Sequence, residues 1–207
     1  SGSSRGIGLL TSSSVAGDIN NSGTINGGIA IGNGSSVTGS ITNNLGGTIA
    51  SAGTGSTSAA ISLTGISSVG SITNNGAILG NGYGIHLAGA ITTSQGILSN
   101  RVTGSITNSG TISGNSAGIF LNSGSNIGGN IANSGTINNG LGGIVLANGS
   151  SVTGSITNNA AGVISGNIDG IALSGSSVAV DIDNSGTISG NSNGIILNAG
   201  GSIGGNI

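Results

Sequence analysis

The chain of 207 residues contains no cysteine, proline, methionine or tryptophan, and it has one tyrosine and one phenylalanine. Without cysteine it forms no disulfide, no thiolate metal site and no cysteine nucleophile. Two arginines and four aspartates are its only charged residues, and a net charge of −2 offers neither a basic surface for nucleic acid nor an acidic tail. No run of 18 apolar residues occurs, so no segment is predicted to span a membrane.

Glycine is abundant, with 46 residues, but the composition differs from that of a disordered chain, which is usually rich in charge and proline. Isoleucine and valine recur at regular intervals instead. This spacing indicates a packed core, and the scarcity of aromatic residues predicts that the core is aliphatic and thin.

A repeat of about 25 residues organises the chain. Its anchor positions in the C-terminal half are isoleucines at 106, 131, 156, 182 and 207, separated by 25 or 26 residues. Earlier anchors at 19, 41 and 72 follow steps of 22, 31 and 34, so we expect loop insertions near residues 51–59 and 88–101. A fixed period in this range is typical of solenoids, and length changes belong at the corners of the coil.

The apolar residues of each copy lie in short β-branched islands between Gly, Asn and Ser, which is the pattern of strands between turns. No helical spacing occurs. The sequence therefore predicts an all-β fold, a right-handed parallel β-helix (β-solenoid) of about eight coils of about 25 residues. We expect residues 1–207 to form a single solenoid that is a segment of a longer repeat protein.

The second residue after each anchor is an asparagine in every copy. Stacking of the coils would align these side chains, and their amides would then hydrogen-bond along the axis as a ladder at a turn. Asparagine also tolerates the left-handed backbone geometry of a corner. The predicted structural ladder comprises Asn21, Asn43, Asn74, Asn108, Asn133, Asn158 and Asn184.

The middle residue of each Ile-x-Leu segment should point outward, because strand residues alternate between the two faces. The resulting column is the most apolar on the exterior and is a candidate lateral contact stripe. Either the insertion at 88–101, with Ile91, Ile97 and Leu98, covers it, or it contacts a partner. The column contains Ala30, Ser62, His86, Phe120, Val145, Ala172 and Ile196, and the last five carry the contact prediction.

Residues with catalytic chemistry are few. Asp181 and Asp183 would both face outward beside inward Ile182, but a solvated pair is favoured over a glycosidase dyad because no lysine exists and both arginines are distant. His86 has no second histidine or nucleophile in its pattern. Two threonine columns, one that includes Thr107 and one that includes Thr111, are too interrupted for an ice-binding array. We therefore expect no enzymatic activity, no catalytic residue, no metal site and no cofactor.

The segment from Ile106 to Leu121, Ile-Thr-Asn-Ser-Gly-Thr-Ile-Ser-Gly followed by Gly-Ile-Phe-Leu, resembles the repeats of bacterial autotransporter passenger domains and related large secreted adhesins. The resemblance extends over almost the entire chain. It implies a right-handed β-helix, export to the cell surface, and a role in adhesion, aggregation or display. Members of that family commonly avoid cysteine, as this chain does.

These observations predict a non-enzymatic extracellular structural or adhesive β-solenoid, a rigid stalk or surface-display segment of an autotransporter-like adhesin. The expected location is extracellular or on the bacterial cell surface, and the expected partners are other copies of the chain or molecules of a host or neighbouring cell. The alternative is a fibre subunit that stacks end to end through Ile7, Leu9, Ile203 and Ile207. An ice-binding or carbohydrate-binding solenoid is disfavoured.

Overall fold

The computed structural model describes residues 5–53, 55–93 and 96–207, with the backbone alone described within 90–98. All the regular structure of these residues is β, in 30 strands without a helix. In this part of the chain, no helix has the length and apolarity needed to cross a membrane.

Three parallel sheets form the walls of the solenoid, and we number them in the order in which the chain visits them. Sheet 1 contains eight strands: Ile7–Leu9, Ile29–Gly32, Ala59–Thr64, Tyr83–Ala88, Ala117–Leu121, Gly142–Ala147, Asp169–Ser174 and Asn193–Asn198. Sheet 2 contains thirteen: Ser14–Val15, Ile19–Asn21, Ser36–Asn43, Ser68–Asn74, Arg101–Val102, Ile106–Asn108, Asn126–Ile127, Ile131–Asn133, Ser151–Val152, Ile156–Asn158, Ser177–Val178, Ile182–Asn184 and Ser202–Ile203. Sheet 3 contains seven: Thr24–Asn26, Thr48–Ala50, Ala77–Gly80, Thr111–Gly114, Thr136–Asn138, Val163–Gly166 and Thr187–Gly190.

Each coil runs from sheet 1 through sheet 2 to sheet 3, and successive coils pair in parallel register. Anchor Ile106, for example, pairs with Ile72 on one side and Ile131 on the other. The parallel solenoid predicted from the repeat is thus confirmed, with about seven coils where we expected about eight, because sheet 3 has one strand fewer than sheet 1. The right-handed winding stays a prediction.

The core is a set of aliphatic columns, one for each inward repeat position. In the coil that begins at Ile106, the inward residues Ile106, Ile112, Ile119, Leu121 and Ile127 have no exposed surface. Their partners in the neighbouring coils are equally buried. Since a single coil cannot enclose such residues on its own, the stack of coils creates the core.

The corner between sheets 1 and 2 is a left-handed turn of two residues. Asn148 and Gly149 have φ of 53° and 77°, and equivalent pairs of positive φ recur in most coils. Short polar residues and glycine adopt this region most readily. The buried Ser150 that follows donates its hydroxyl to the carbonyl of Ala147 at 2.8 Å and thereby closes the turn.

The two insertions predicted from the long repeat steps lie at corners. Residues 51–58 connect sheet 3 to sheet 1, and residues 88–101 contain an antiparallel hairpin of Ala90–Thr93 and Gly96–Ser99. Buried Asn100 stands where other coils have the turn-closing serine. Its amide donates to the carbonyls of Ala88 and Gly89, and its Oδ1 accepts from the Ser67 N–H, so it closes the base of the hairpin.

Candidate functional site

The seven ladder asparagines stack in one column at the end of sheet 2. Each Nδ2 donates to the Oδ1 of the asparagine in the next coil, at 2.8–2.9 Å, so six side-chain hydrogen bonds join the column. The same Nδ2 of Asn108 also donates to the carbonyls of Gly110 and Thr136 at 3.1 Å. All but Asn184 are at most 6% exposed, so the ladder is an internal structural element with no open side for a ligand.

The ladder asparagines lie in extended strands, which corrects part of the explanation for their position. We expected asparagine there partly for its tolerance of left-handed backbone, but none of the seven has a positive φ. Their amides, which both donate and accept, are the reason for the residue type. In five of the seven copies a glycine lies two residues farther on, and it permits close approach of the coils: a Cβ on Gly135 would overlap the Gly110 carbonyl oxygen.

A second polar column precedes the anchors on sheet 2. Here a short side chain accepts a hydrogen bond from a backbone N–H of the next coil. The acceptor–donor pairs are Asp18–Ser40, Ser71–Ser105, Ser105–Asn130, Asn130–Ser155, Ser155–Asp181 and Asp181–Asn206.

The place of Asp181 in this column changes the interpretation of the aspartate pair. Its Oδ1 accepts from the Asn206 N–H at 2.6 Å, whereas Asp183 is exposed. We expected both carboxylates to be solvated alike. The structure gives Asp181 a backbone-binding role that the spacing of the pair did not reveal.

The predicted lateral stripe occupies one column on the outer face of sheet 1. His86 pairs in register with Ser62 below and Phe120 above, and Phe120 pairs with Val145. The column continues through Ala172 to Ile196. All of these residues are partly exposed, so they form a continuous exterior row.

An aromatic stack lies at the centre of this row. The rings of His86 and Phe120 lie 5.3 Å apart at 15°, and the Tyr83 ring lies 4.3 Å from His86 and 4.9 Å from Phe120. The stack unites the only tyrosine, phenylalanine and histidine of the chain. Pairs of this kind are worth about 0.5–1.5 kcal/mol beyond the area that they bury.

Burial within the stack lowers the pKa of His86 from 6.5 to about 4, because the charged imidazolium loses its hydration. Its Nε2 is buried and has no hydrogen-bond partner among the described residues. The imidazole is therefore neutral at physiological pH and contributes a ring surface to the outer face, without a charge.

A groove of about 370 Å³ lies on the N-terminal side of the stack, with His86 at one end. Its floor is the outer face of the first strands of sheet 1, and residues 51–53, 57 and 58 form one wall. Hydroxyl groups are frequent around it, and Arg5 is the only charged residue among the described lining. The polar lining residues are Arg5, Ser51, Thr57, Ser58, Ser62, Thr64 and His86.

The described residues of loop 51–58, which are 51–53 and 55–58, form hydrogen bonds with neighbouring coils. Asn81 donates its backbone N–H to Ser51 Oγ at 2.9 Å and its amide to the Gly53 carbonyl at 2.6 Å. Ser116, a further coil away, donates to the Ser56 carbonyl at 2.9 Å. This wall of the groove is consequently preorganised.

A smaller hollow of about 100 Å³ lies on the other side of the stack. Tyr83, Phe120, Leu141 and Val145 line it together with Ser116 and Ala117, and Leu141 is mostly exposed. The stack thus separates a polar groove from an apolar hollow on the same face.

Other predicted features fall elsewhere. The side chains of Ile91, Ile97 and Leu98 lie outside the described residues, so covering of the stripe by the insertion stays a prediction. Of the proposed end-stacking residues, Leu9 is buried, Ile7 and Ile203 are partly buried and Ile207 is exposed. The two threonine columns belong to different sheets, since Thr107 lies on sheet 2 and Thr111 on sheet 3.

Sequence reasoning missed Tyr83 because simple strand alternation places it on the same side as Ile85 and Leu87. The alternation shifts at Gly84, which faces inward, where a Cβ would lie 2.6 Å from Ile112 Cγ2. Two successive inward residues, Gly84 and Ile85, let Tyr83 reach the outer face. The sequence contains a signal for this shift, which is the glycine that precedes the Ile-x-Leu segment. It is present in every coil except the one in which Ala60 stands at that position.

Comparison with known proteins yields no match to a protein-family model, to a curated protein or to a solved structure.

Proposed function

We propose that this chain is a non-enzymatic extracellular β-solenoid of an autotransporter-like adhesin, a rigid segment that displays a contact surface. The observation that carries the proposal is the contrast between the repeated hydrogen-bonded scaffold and the outer face of sheet 1. The aromatic stack and the more apolar part of the stripe both lie on that face. Bacterial surface export and adhesion also follow from the repeat resemblance, which makes them part of the proposal.

Rigidity is supported by the number of bonds that cross from coil to coil. Three parallel sheets, the asparagine ladder and the acceptor column that includes Asp181 all run along the axis. Each coil is thereby held by backbone hydrogen bonds in all three sheets and by side-chain hydrogen bonds along sheet 2. A body of this kind keeps the contact surface at a fixed distance and orientation from its point of attachment.

The contact stripe supports weak, repeated contacts. The stripe is seven residues long at a spacing of ~4.8 Å, and its width is one side chain, on the order of 10 Å. These dimensions give a contact area of about 300 Å². A stable protein interface needs about 800 Å² per partner. Adhesion through this surface would accordingly depend on many copies acting together, as on a cell surface.

Beads that carry the purified chain provide the test. We expect them to aggregate or to attach to cultured cells, and Phe120→Asp to reduce attachment by burying a charge in the contact. Thr107→Asp is the matched control, because its column on sheet 2 already contains Asp183. Wild-type beads that neither aggregate nor attach, or equal attachment by both variants, would contradict the proposal. Circular dichroism of each variant checks that the fold is retained.

A further inference from the structure

We propose that the groove beside the aromatic stack binds an acidic saccharide, a pyranose unit that carries a carboxylate. The proposal names the ligand class of the contact surface and rests on the adhesive function proposed above. Its elements are the polar groove, the ring surface of His86 at one end, and Arg5.

The size of the groove suits one or two sugar units. Small-molecule sites begin at about 300 Å³ and combine apolar surface with a few placed polar groups. This groove has a volume of about 370 Å³ and mixes apolar residues, such as Ala30 and Leu10, with the hydroxyls of Ser51, Ser58 and Ser62. Sugars present both C–H surfaces and hydroxyls, so they complement a lining of this mixed kind.

The charge of the groove favours a ligand that carries a carboxylate. Arg5 is its only charged residue among the described lining, and none of the four aspartates lies there. His86 adds no positive charge, since burial lowers its pKa to about 4. A guanidinium binds a carboxylate through two parallel hydrogen bonds, a geometry that a neutral sugar does not offer.

The walls are in place before the ligand arrives. Asn81 and Ser116 donate hydrogen bonds to the carbonyls of Gly53 and Ser56 in this wall, and the floor is a strand ladder of sheet 1. Binding therefore requires little ordering of the protein, which favours affinity for a small ligand. The stripe is too narrow for a stable protein partner, whereas a saccharide needs only this local surface.

The chain offers its own probe. Tyr83 is the only tyrosine, there is no tryptophan, and the Tyr83 ring contacts His86 at the end of the groove. Tyrosine fluorescence thus comes from one residue, which contacts the groove through His86 and also lines the apolar hollow, so Arg5→Gln is needed to assign a change to the groove. The titrants are a trisaccharide of galacturonic acid and a galactose trisaccharide of the same linkage, each at low and high salt.

We expect saturable fluorescence change with the galacturonic acid trisaccharide, weaker binding of the galactose trisaccharide, and a loss of affinity at high salt. Arg5→Gln should weaken binding of the acidic trisaccharide about fivefold, as befits an exposed ion pair. Arg101→Gln is the matched control, because it removes the only other cation, which lies on sheet 2, and should change nothing.

No saturable change, equal binding of both trisaccharides, or an equal effect of the two arginine substitutions would overturn the proposal. The bead experiment separates it from the adhesive function. Beads that attach while the acidic trisaccharide fails to bind would refute the saccharide site alone. Trisaccharide binding by a chain whose beads never attach would refute adhesion and leave the site standing.

Discussion

The asparagine ladder and the aromatic stack are both columns of side chains piled at the spacing of the coils, but they differ in every other respect. The ladder recurs in seven coils, is almost entirely buried and satisfies its polar atoms. The stack spans two coils, stands on the outer face and leaves His86 Nε2 without a partner among the described residues.

The difference separates stability from recognition. A feature repeated in each coil contributes to the axis-long cooperativity of the solenoid, since each coil depends on its neighbours. A feature that occurs once adds little to that cooperativity and is free to serve contact with another molecule. Substitutions in the two columns should therefore affect different properties.

The largest effect is expected from breaking the ladder at its centre. Asn108→Ala removes the hydrogen bonds of the Asn108 amide to Asn133, Gly110 and Thr136. It also removes one of the three acceptors of the Asn74 amide, which keeps the carbonyls of Gly76 and Thr111. We expect a loss of about 4 kcal/mol in the free energy of unfolding, because buried polar atoms lose their partners. Urea denaturation measures it. Asn184→Ala, at the exposed end, should cost less than half as much, and equal costs would contradict an internal ladder.

The stack should make stability depend on pH. Burial lowers the pKa of folded His86 to about 4 from 6.5, so the unfolded chain takes up a proton first as pH falls. The free energy of unfolding is thus highest above pH 6.5, falls between about 6.5 and 4, and loses up to about 3 kcal/mol.

The matched variant is His86→Phe, which keeps a ring in the stack and removes the titration. Its stability should change less over this range, and the difference from the wild type isolates His86 from the aspartates. The single histidine also gives one ring Cε1–H signal in NMR spectra, from which its pKa can be read directly. A value near 6.5 would refute the buried, neutral imidazole.

Close approach of the coils beside the ladder should also limit substitution. Gly135→Ala places a Cβ against the Gly110 carbonyl, and we expect a loss of about 2–3 kcal/mol in thermal or urea unfolding. Gly23 occupies the same place in its own Asn-Ser-Gly-Thr segment, but a Cβ there meets nothing within 4 Å. Gly23→Ala should be neutral or slightly stabilising. Similar losses for both would show that glycine is needed for another reason.

The smallest effect on stability is expected in the stack itself. Phe120→Ala removes a partly exposed ring and its contacts with His86 and Tyr83, so it should cost about 1 kcal/mol. Ile119→Ala is the matched variant, because the neighbouring residue points into the core and should cost about 3 kcal/mol. A cost for Phe120→Ala as large as that for Ile119→Ala would show that the stack is structural.

The sequence predicted features that recur in each coil, in contrast to features that occur once. The period of about 25 residues predicted the parallel solenoid, the inward columns that include Ile106 and Ile112, and the alignment of the asparagines. These features recur in every coil, and a pattern that recurs can be recognised in a single sequence. The predictions of adhesion, location and partners remain predictions.

Features that occur in only some of the coils were not predicted from the sequence. Tyr83 joins His86 and Phe120 only because two inward residues reverse the strand alternation before Ile85. The groove arises where Arg5 and loop 51–58, nearly fifty residues apart along the chain, meet on one face.

The repeat is sufficient to predict the architecture, because a repeated pattern of short aliphatic islands can bury its apolar residues only by stacking. Tertiary structure alone decided which non-repeated side chains share a surface. Side-chain direction at the corners and the path of loop 51–58 depend on contacts between coils, among them those of Asn81 and Ser116. The repeat period therefore predicts the scaffold, whereas the candidate binding surface forms only when the coils pack against one another.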